Sequence, residues 1–147
     1  GLDTLVVIDD SIVRGTTSRE IVQMGREAGA NKIYFASAAP PVRFPNVYGI
    51  DMPTRQELIA TDRSTDEICQ EIGADYLVFQ DLDALKLAVS KALPKVDKFE
   101  TSCFDGVYLT RDVTAEYLKR IELQRACPPL TRSHSNTQLD LSLVVSD

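Results

Sequence analysis

Histidine is almost absent from the chain: His134 is the single one, beside three cysteines, Cys69, Cys103 and Cys127. The cysteines are widely spaced and form no Cys-x-x-Cys pair, so with one histidine they give no zinc or iron–sulfur spacing. They read as two half-buried thiols and one near a tail. A basic excess is lacking too. Lys and Arg number 16 against 22 Asp and Glu, a net charge of −6. That argues against a general nucleic-acid or membrane surface, which needs a basic patch. It leaves room for a phosphate ligand, since backbone dipoles and Mg²⁺ act locally. No apolar run approaches the ~20 residues that cross a bilayer, and no signal-peptide pattern is visible. The expected compartment is the cytoplasm. Internal repeats are absent.

What remains is an ordinary globular composition: 147 residues, 44% hydrophobic and 26% charged, enough for one domain with a real core. Its informative stretch is Leu5-Val-Val-Ile-Asp-Asp-Ser-Ile-Val-Arg-Gly-Thr-Thr-Ser18. Leu5 to Ile8 is a continuous apolar run, as expected of a parallel strand buried on both faces. Asp9 and Asp10 end it. Gly15 lets the backbone turn sharply or approach a ligand. Thr16, Thr17 and Ser18 bring hydroxyls to a helix start, with Ser18 or Thr17 as N-cap. Free N–H groups and the macrodipole make such a start a phosphate cradle. Carboxylates repel phosphate but accept hydrogen bonds from sugar hydroxyls or bind Mg²⁺. A ligand with a phosphate, vicinal hydroxyls and a metal would use every group here.

The string Val6 to Ser18 resembles the phosphoribosyl pyrophosphate (PRPP) loop of type I phosphoribosyltransferases, in the form found in the amidophosphoribosyltransferase (glutamine PRPP amidotransferase) family. The resemblance runs through Ser37-Ala-Ala-Pro40, Tyr48-Gly-Ile-Asp-Met-Pro53 and Gln70-Glu-Ile-Gly-Ala-Asp75, over roughly residues 4 to 120. It implies that Asp9 and Asp10 hold the ribose 2′- and 3′-hydroxyls and Mg²⁺, while Arg14, Gly15, Thr16, Thr17 and Ser18 wrap the 5′-phosphate. It also implies an incomplete parallel α/β sheet of the type I phosphoribosyltransferase kind with a helical C-terminal extension. Residues 1–127 would be the C-terminal part of that domain and 128–147 a polar, mobile tail.

By the same resemblance the parent converts PRPP, glutamine and water to 5-phosphoribosylamine, glutamate and pyrophosphate, opening purine synthesis. Its partners would be PRPP, purine nucleotides as inhibitors, and its own copies in a homo-oligomer, a tetramer. The glutaminase half needs an N-terminal cysteine nucleophile, and Gly1 is not one. The pyrophosphate and flexible catalytic loops precede the PRPP loop, so no catalytic residue is assigned in this chain. It opens on Gly1-Leu2-Asp3, without methionine, and is read as a piece of a longer protein that supplies glutaminase and sheet segments. Some members carry a [4Fe–4S] cluster. Here Asn46 stands in the segment where one cysteine ligand is expected and Cys103 is isolated, so the chain resembles the cluster-free branch.

The remaining pattern predicts a helix over residues 18–28 with Ile21, Val22, Met24 and Ala28 on its inner face. Gly29 is its C′ residue, and Gly25 is a sign of close helix–sheet packing. A second strand covers 32–39, completing a βαβ unit. Residues 40–53 form an irregular connection in which Arg43 and Asp51 make a structural ion pair or cap. A short helix is expected over 54–60. A capping box at Ser64-Thr-Asp-Glu67 opens a helix that ends at Gly73. A third strand spans 76–79, and Asp81 caps a helix that ends before Pro94. Residues 99–109 are expected as a hairpin or extended arm, and 113–126 as an amphipathic helix.

Two other function classes compete. A phosphoacceptor receiver also ends its first strand in an acid pair, but its acceptor Asp ends a buried strand, whereas Asp51 follows Tyr48-Gly49 in a proline-bounded loop. A non-catalytic PRPP-sensing module of the same fold would share the loop. The match beyond the loop favours the enzyme. Helix capping alone needs one hydroxyl or acid, not five such residues.

Overall fold

The computed structural model describes residues 3–48, 53–96 and 98–126. Strands β1 (Thr4–Asp9), β2 (Lys32–Ser37) and β3 (Tyr76–Phe79) form one parallel sheet in that order. Helix α1 (Thr16–Glu27) joins β1 to β2, and α2 (Thr65–Ile72) precedes β3. Helices α3 (Leu82–Ala92), α4 (Ser102–Asp105) and α5 (Ala115–Ala126) follow the sheet. The expected open α/β sheet is present. The expected tail, with Cys127 and His134, and Asp51 lie outside the described residues.

The core sits between one sheet face and the helices. Ile33, Phe35 and Leu77 point into it from β2 and β3, meeting Val22 of α1 and Ile68 and Ile72 of α2. Ile68 and Ile72 stand four residues apart and share one helix face. Fully burying each contributes about 1.5–3 kcal/mol. The box opens α2 as expected: Glu67 N–H donates to Ser64 Oγ, and Ser64 N–H donates to Glu67 Oε2. Gly73, at φ 77°, closes it. Asp81 caps α3 by accepting from Ala84 N–H.

Two corrections concern the first βαβ unit. β1 is not buried on both faces. Leu5 and Val7 are half-buried, but Val6 and Ile8 are 60% and 77% exposed. Tyr34, Tyr76 and Val78 continue this open face across the sheet. No described residue pairs with the free edge of β1. The second correction is the inner face of α1, which is Ser18, Val22 and Gly25 with Ile21 half-buried, whereas Met24 and Ala28 are exposed. Gly25 selects that face. A Cβ there would stand 2.8 Å from Leu5 Cδ2 and 2.9 Å from Ile33 Cδ1, so the missing side chain is what lets α1 lie close to the sheet.

Later segments also depart from expectation. Residues 54–60 contain one 3₁₀ turn, Arg55–Glu57, with a Thr54–Glu57 capping box. Leu58 then turns extended, which carries buried Leu58, Ile59 and Ala60 inward. Residues 99–109 hold the short α4, closed by Gly106 at φ 74°, and no strand. Cys103 C=O accepts from the N–H groups of Arg43 and Phe44, and Tyr108 O–H donates to Pro45 C=O. These bonds tie the segment to the connection after β2 in place of a hairpin partner. Arg43 has a structural role as a donor to the carbonyls of Ala60 and Arg63; its pairing with Asp51 falls outside the described residues. Helix α5 begins two residues later than expected, where Thr114 Oγ1 accepts from Tyr117 N–H.

Candidate functional site

Asp9 is the last residue of β1 and pairs in register with Ser37, the last of β2. Beyond the strands, Ala38 N–H donates to Asp9 C=O and Ala39 N–H to Asp10 C=O, both at 2.9 Å. These bonds fix the acid pair at the carboxyl edge of the sheet, where ligands of open α/β folds bind. Asp9 Oδ1 accepts from Asp10 N–H at 3.0 Å, and Asp10 Oδ1 accepts from the Ser11 hydroxyl at 2.8 Å. The two Oδ2 atoms take no part in those bonds.

The chain then dips through the buried Ile12, which roots the loop in the core. Gly15 follows at φ 76°, ψ −5° and is itself the N-cap of α1, with no side-chain capping bond. The expected Ser18 or Thr17 cap is therefore not used, because the left-handed glycine starts the helix earlier. The first intrahelical bond runs from Arg19 N–H to Gly15 C=O. The N–H groups of Thr16, Thr17 and Ser18 thus have no intrahelical acceptor. Thr16 and Thr17 are exposed, while Ser18 is buried in the first turn.

All seven residues singled out from the sequence line one cavity of about 650 Å³: Asp9, Asp10, Arg14, Gly15, Thr16, Thr17 and Ser18. Among the described residues Ser11, Val13 and Pro53 also line it. The lining brings two carboxylates together with a helix start whose first N–H groups have no intrahelical acceptor. Two adjacent carboxylates suit Mg²⁺, a hard cation that keeps several waters and takes one or two carboxylates plus ligand phosphates. Among the described residues no cluster of three or more His, Cys, Asp or Glu could hold a metal by itself.

What the sequence reading missed is the brace from residues 54–59. Ile59 N–H donates to Val13 C=O at 2.9 Å. A Cβ on Gly15 would stand 2.3 Å from Ile59 Cδ1. Arg14 Nη2 lies 3.2 Å from Glu57 Oε1. The one local signal was the Thr54-x-x-Glu57 box, which marks a turn but not what it packs on. Elsewhere, Cys69 and Cys103 are free and half-buried, and burial pushes both thiols up from their ordinary pKa. Among the described residues no helix is long and apolar enough to cross a membrane.

No protein-family model matches the chain. It is 60% identical over 121 residues to an amidophosphoribosyltransferase of Pasteurella multocida, covering 82% of this chain and 24% of that protein. A solved structure described as the allosteric regulatory enzyme of purine biosynthesis superposes with a TM-score of 0.65 at 42% identity, over 80% of this chain and 27% of that one. The glutamine PRPP amidotransferase of Bacillus subtilis, complexed with ADP and GMP, gives 0.63 at 42% identity over 77% and 26%. The chain therefore spans about a quarter of the length of each relative.

Proposed function

We infer, from the premise that this chain is homologous to one segment of amidophosphoribosyltransferase, that it supplies the ribose and 5′-phosphate side of a PRPP site. The parent reaction would be the transfer of ammonia, released from glutamine, to PRPP, giving 5-phosphoribosylamine, glutamate and pyrophosphate. The observation that carries the reading is the convergence of Asp9, Asp10 and residues 14–18 on one cavity. Residues 1–127 are then the C-terminal part of a phosphoribosyltransferase domain.

Each group has a chemical task. The Asp9 and Asp10 carboxylates accept hydrogen bonds from the ribose 2′- and 3′-hydroxyls and present oxygens to Mg²⁺. The free N–H groups of Thr16, Thr17 and Ser18 and the two exposed threonine hydroxyls donate to the 5′-phosphate. Arg14 adds a guanidinium, whose forked donors match phosphate oxygens. Gly15, in its left-handed conformation, starts the helix where those backbone N–H groups join the cavity lining. Bound Mg²⁺ would offset the charge building on pyrophosphate as it leaves C1. The chain's own share is orientation of the sugar, which needs no general base here.

Partners follow from the same reading. The open sheet face of Val6, Ile8, Tyr34, Tyr76 and Val78 and the free edge of β1 suit cover by the remaining sheet and glutaminase segments of a parent. Purine nucleotides would act as inhibitors, since one relative is complexed with ADP and GMP, and the parent would be a cytoplasmic homotetramer of the cluster-free kind. A PRPP-sensing module of the same fold is the second reading. The relatives' enzyme names favour the first.

Calorimetry tests the site. Ribose 5-phosphate should bind with or without metal, and PRPP more tightly with Mg²⁺. Asp9→Asn and Asp10→Asn should weaken the Mg²⁺-dependent part, and Thr16→Val the binding of both ligands. A hydrogen bond to a charged group contributes ~1.5–3 kcal/mol, so losses of about tenfold or more are expected. Equal effects of all three changes on both ligands would mean the roles are misassigned.

A further inference from the structure

Arg14 is the only side chain of the candidate phosphate loop, residues 14–18, that ends in a cation, yet 57% of that side chain is exposed. A long exposed arginine populates many rotamers, and ordering it on a ligand costs conformational entropy. Here it meets Glu57. That carboxylate is itself held, because Glu57 Oε2 accepts from Thr54 N–H at 2.8 Å and from the Thr54 hydroxyl at 2.9 Å. Those two bonds, with Arg14 adding to them, keep the Glu57 carboxyl below the usual carboxylate range. One oxygen is thus anchored to the 3₁₀ turn, and the other faces the guanidinium.

The rest of the turn fixes where that anchor stands. Ile59 N–H binds Val13 C=O, and the Ile59 side chain fills the space that a Cβ on Gly15 would need. The turn and the loop are therefore held together by a backbone bond and an apolar contact that do not involve Arg14. Arg14 lines the cavity, and Glu57 does not.

We propose that Glu57 is a positioning residue for the phosphate site: locked by Thr54, it holds the Arg14 guanidinium at the cavity wall before the ligand arrives. This rests on reading residues 14–18 as a phosphate cradle. A carboxylate so near the site could instead compete with phosphate for Arg14. A competitor must be free to give up its partner without strain, however, and Glu57 is tied into a turn that itself packs on the loop.

The alternatives separate in a double-mutant cycle on ribose 5-phosphate binding, using the 147-residue chain, Glu57→Gln, Arg14→Gln and the double variant. Glutamine keeps an oxygen that can accept from Thr54, so the turn survives, which circular dichroism would check. An exposed ion pair supports about a twofold to fivefold weakening in Glu57→Gln. The double variant should bind no more weakly than Arg14→Gln alone. Additive losses would mean that Glu57 acts only on the fold, and tighter binding by Glu57→Gln would make it a competitor; either result overturns the proposal. A ligand-free readout stands beside the cycle. The ¹⁵N heteronuclear NOE of Arg14 Nε should fall in Glu57→Gln, and an unchanged value overturns the bracing even if phosphate binds. A wild-type chain that binds no ribose 5-phosphate overturns the phosphate reading and this proposal with it.

Discussion

Gly15 ties the backbone conformation of the site to its packing. At φ 76° any other residue is strained, and its Cβ would meet Ile59 Cδ1 at 2.3 Å. A left-handed non-glycine costs roughly 1–2 kcal/mol, and overpacking adds about 1–3 kcal/mol. Gly15→Ala should therefore lower the urea midpoint and abolish ribose 5-phosphate binding. A loss no larger than the ~1–2 kcal/mol backbone cost would mean that Ile59 yields freely, and unchanged stability would contradict the left-handed conformation as well. The glycine was legible in the sequence because a loop before a helix needs one. Its packing partner was not, since the contact joins segments far apart in the chain. The hydroxyls that looked like caps do not cap the helix because Gly15 takes the cap position. Asp75 gives a second expectation. Its carboxylate accepts from Ile33 N–H and from Arg26, both at 2.6 Å, and chiefly the first bond holds its pKa below the ordinary value. The folded chain thus stays ionised where the unfolded chain begins to take up protons. The contribution is complete above the ordinary carboxylate pKa and is lost as the pH falls from there through the lowered folded value. Asp75→Asn should flatten that acid limb of stability, as followed by urea unfolding at stepped pH.

Among the elements, α2 was readable because its signals are local: a capping box, a 3.6-residue apolar repeat and a terminal glycine. Ser64→Ala should cost about 1 kcal/mol, and Ile72→Ala, at 0% exposure, about 2–5 kcal/mol, both read from urea midpoints. A loss under 1 kcal/mol at Ile72 would place the helix outside the core. α1 was readable in its existence and poorly in its face. Met24 looked like core by hydrophobicity, but the helix turns its glycine to the sheet, and close approach there outweighs another buried side chain. Gly25→Val should accordingly destabilise by about 1–3 kcal/mol even though valine is the better helix former. Residues 99–109 misled for another reason. Phe104, Val107, Tyr108 and Leu109 have the composition of a strand, yet Tyr108 is spent on Pro45 and a Cβ at Gly106 would stand 3.1 Å from the Phe44 ring. Those long-range contacts leave no local mark.

For the whole molecule, the three-stranded parallel sheet and its ligand-binding edge follow from short apolar runs separated by helical patterns. The open face could not be read from those runs, because continuous hydrophobicity signals what a strand would bury, not what covers it. Val6, Ile8, Tyr34, Tyr76 and Val78 share that face. The lone chain should therefore self-associate, and Val6→Thr with Ile8→Thr should shift it toward monomer in sedimentation without loss of helical signal. It should also make no phosphoribosylamine from PRPP and ammonia, since orientation of the sugar is the only part of the reaction assigned to it. The central claim, that the turn from β1 into α1 holds a sugar phosphate, is tested most directly by titrating the ¹⁵N-labelled chain with ribose 5-phosphate. Saturable amide shifts are expected at Gly15, Thr16, Thr17 and Ser18, joined by Asp9 and Asp10 when PRPP and Mg²⁺ are used instead. Saturable shifts elsewhere with these four amides unmoved, or no saturable shift at all, would contradict it.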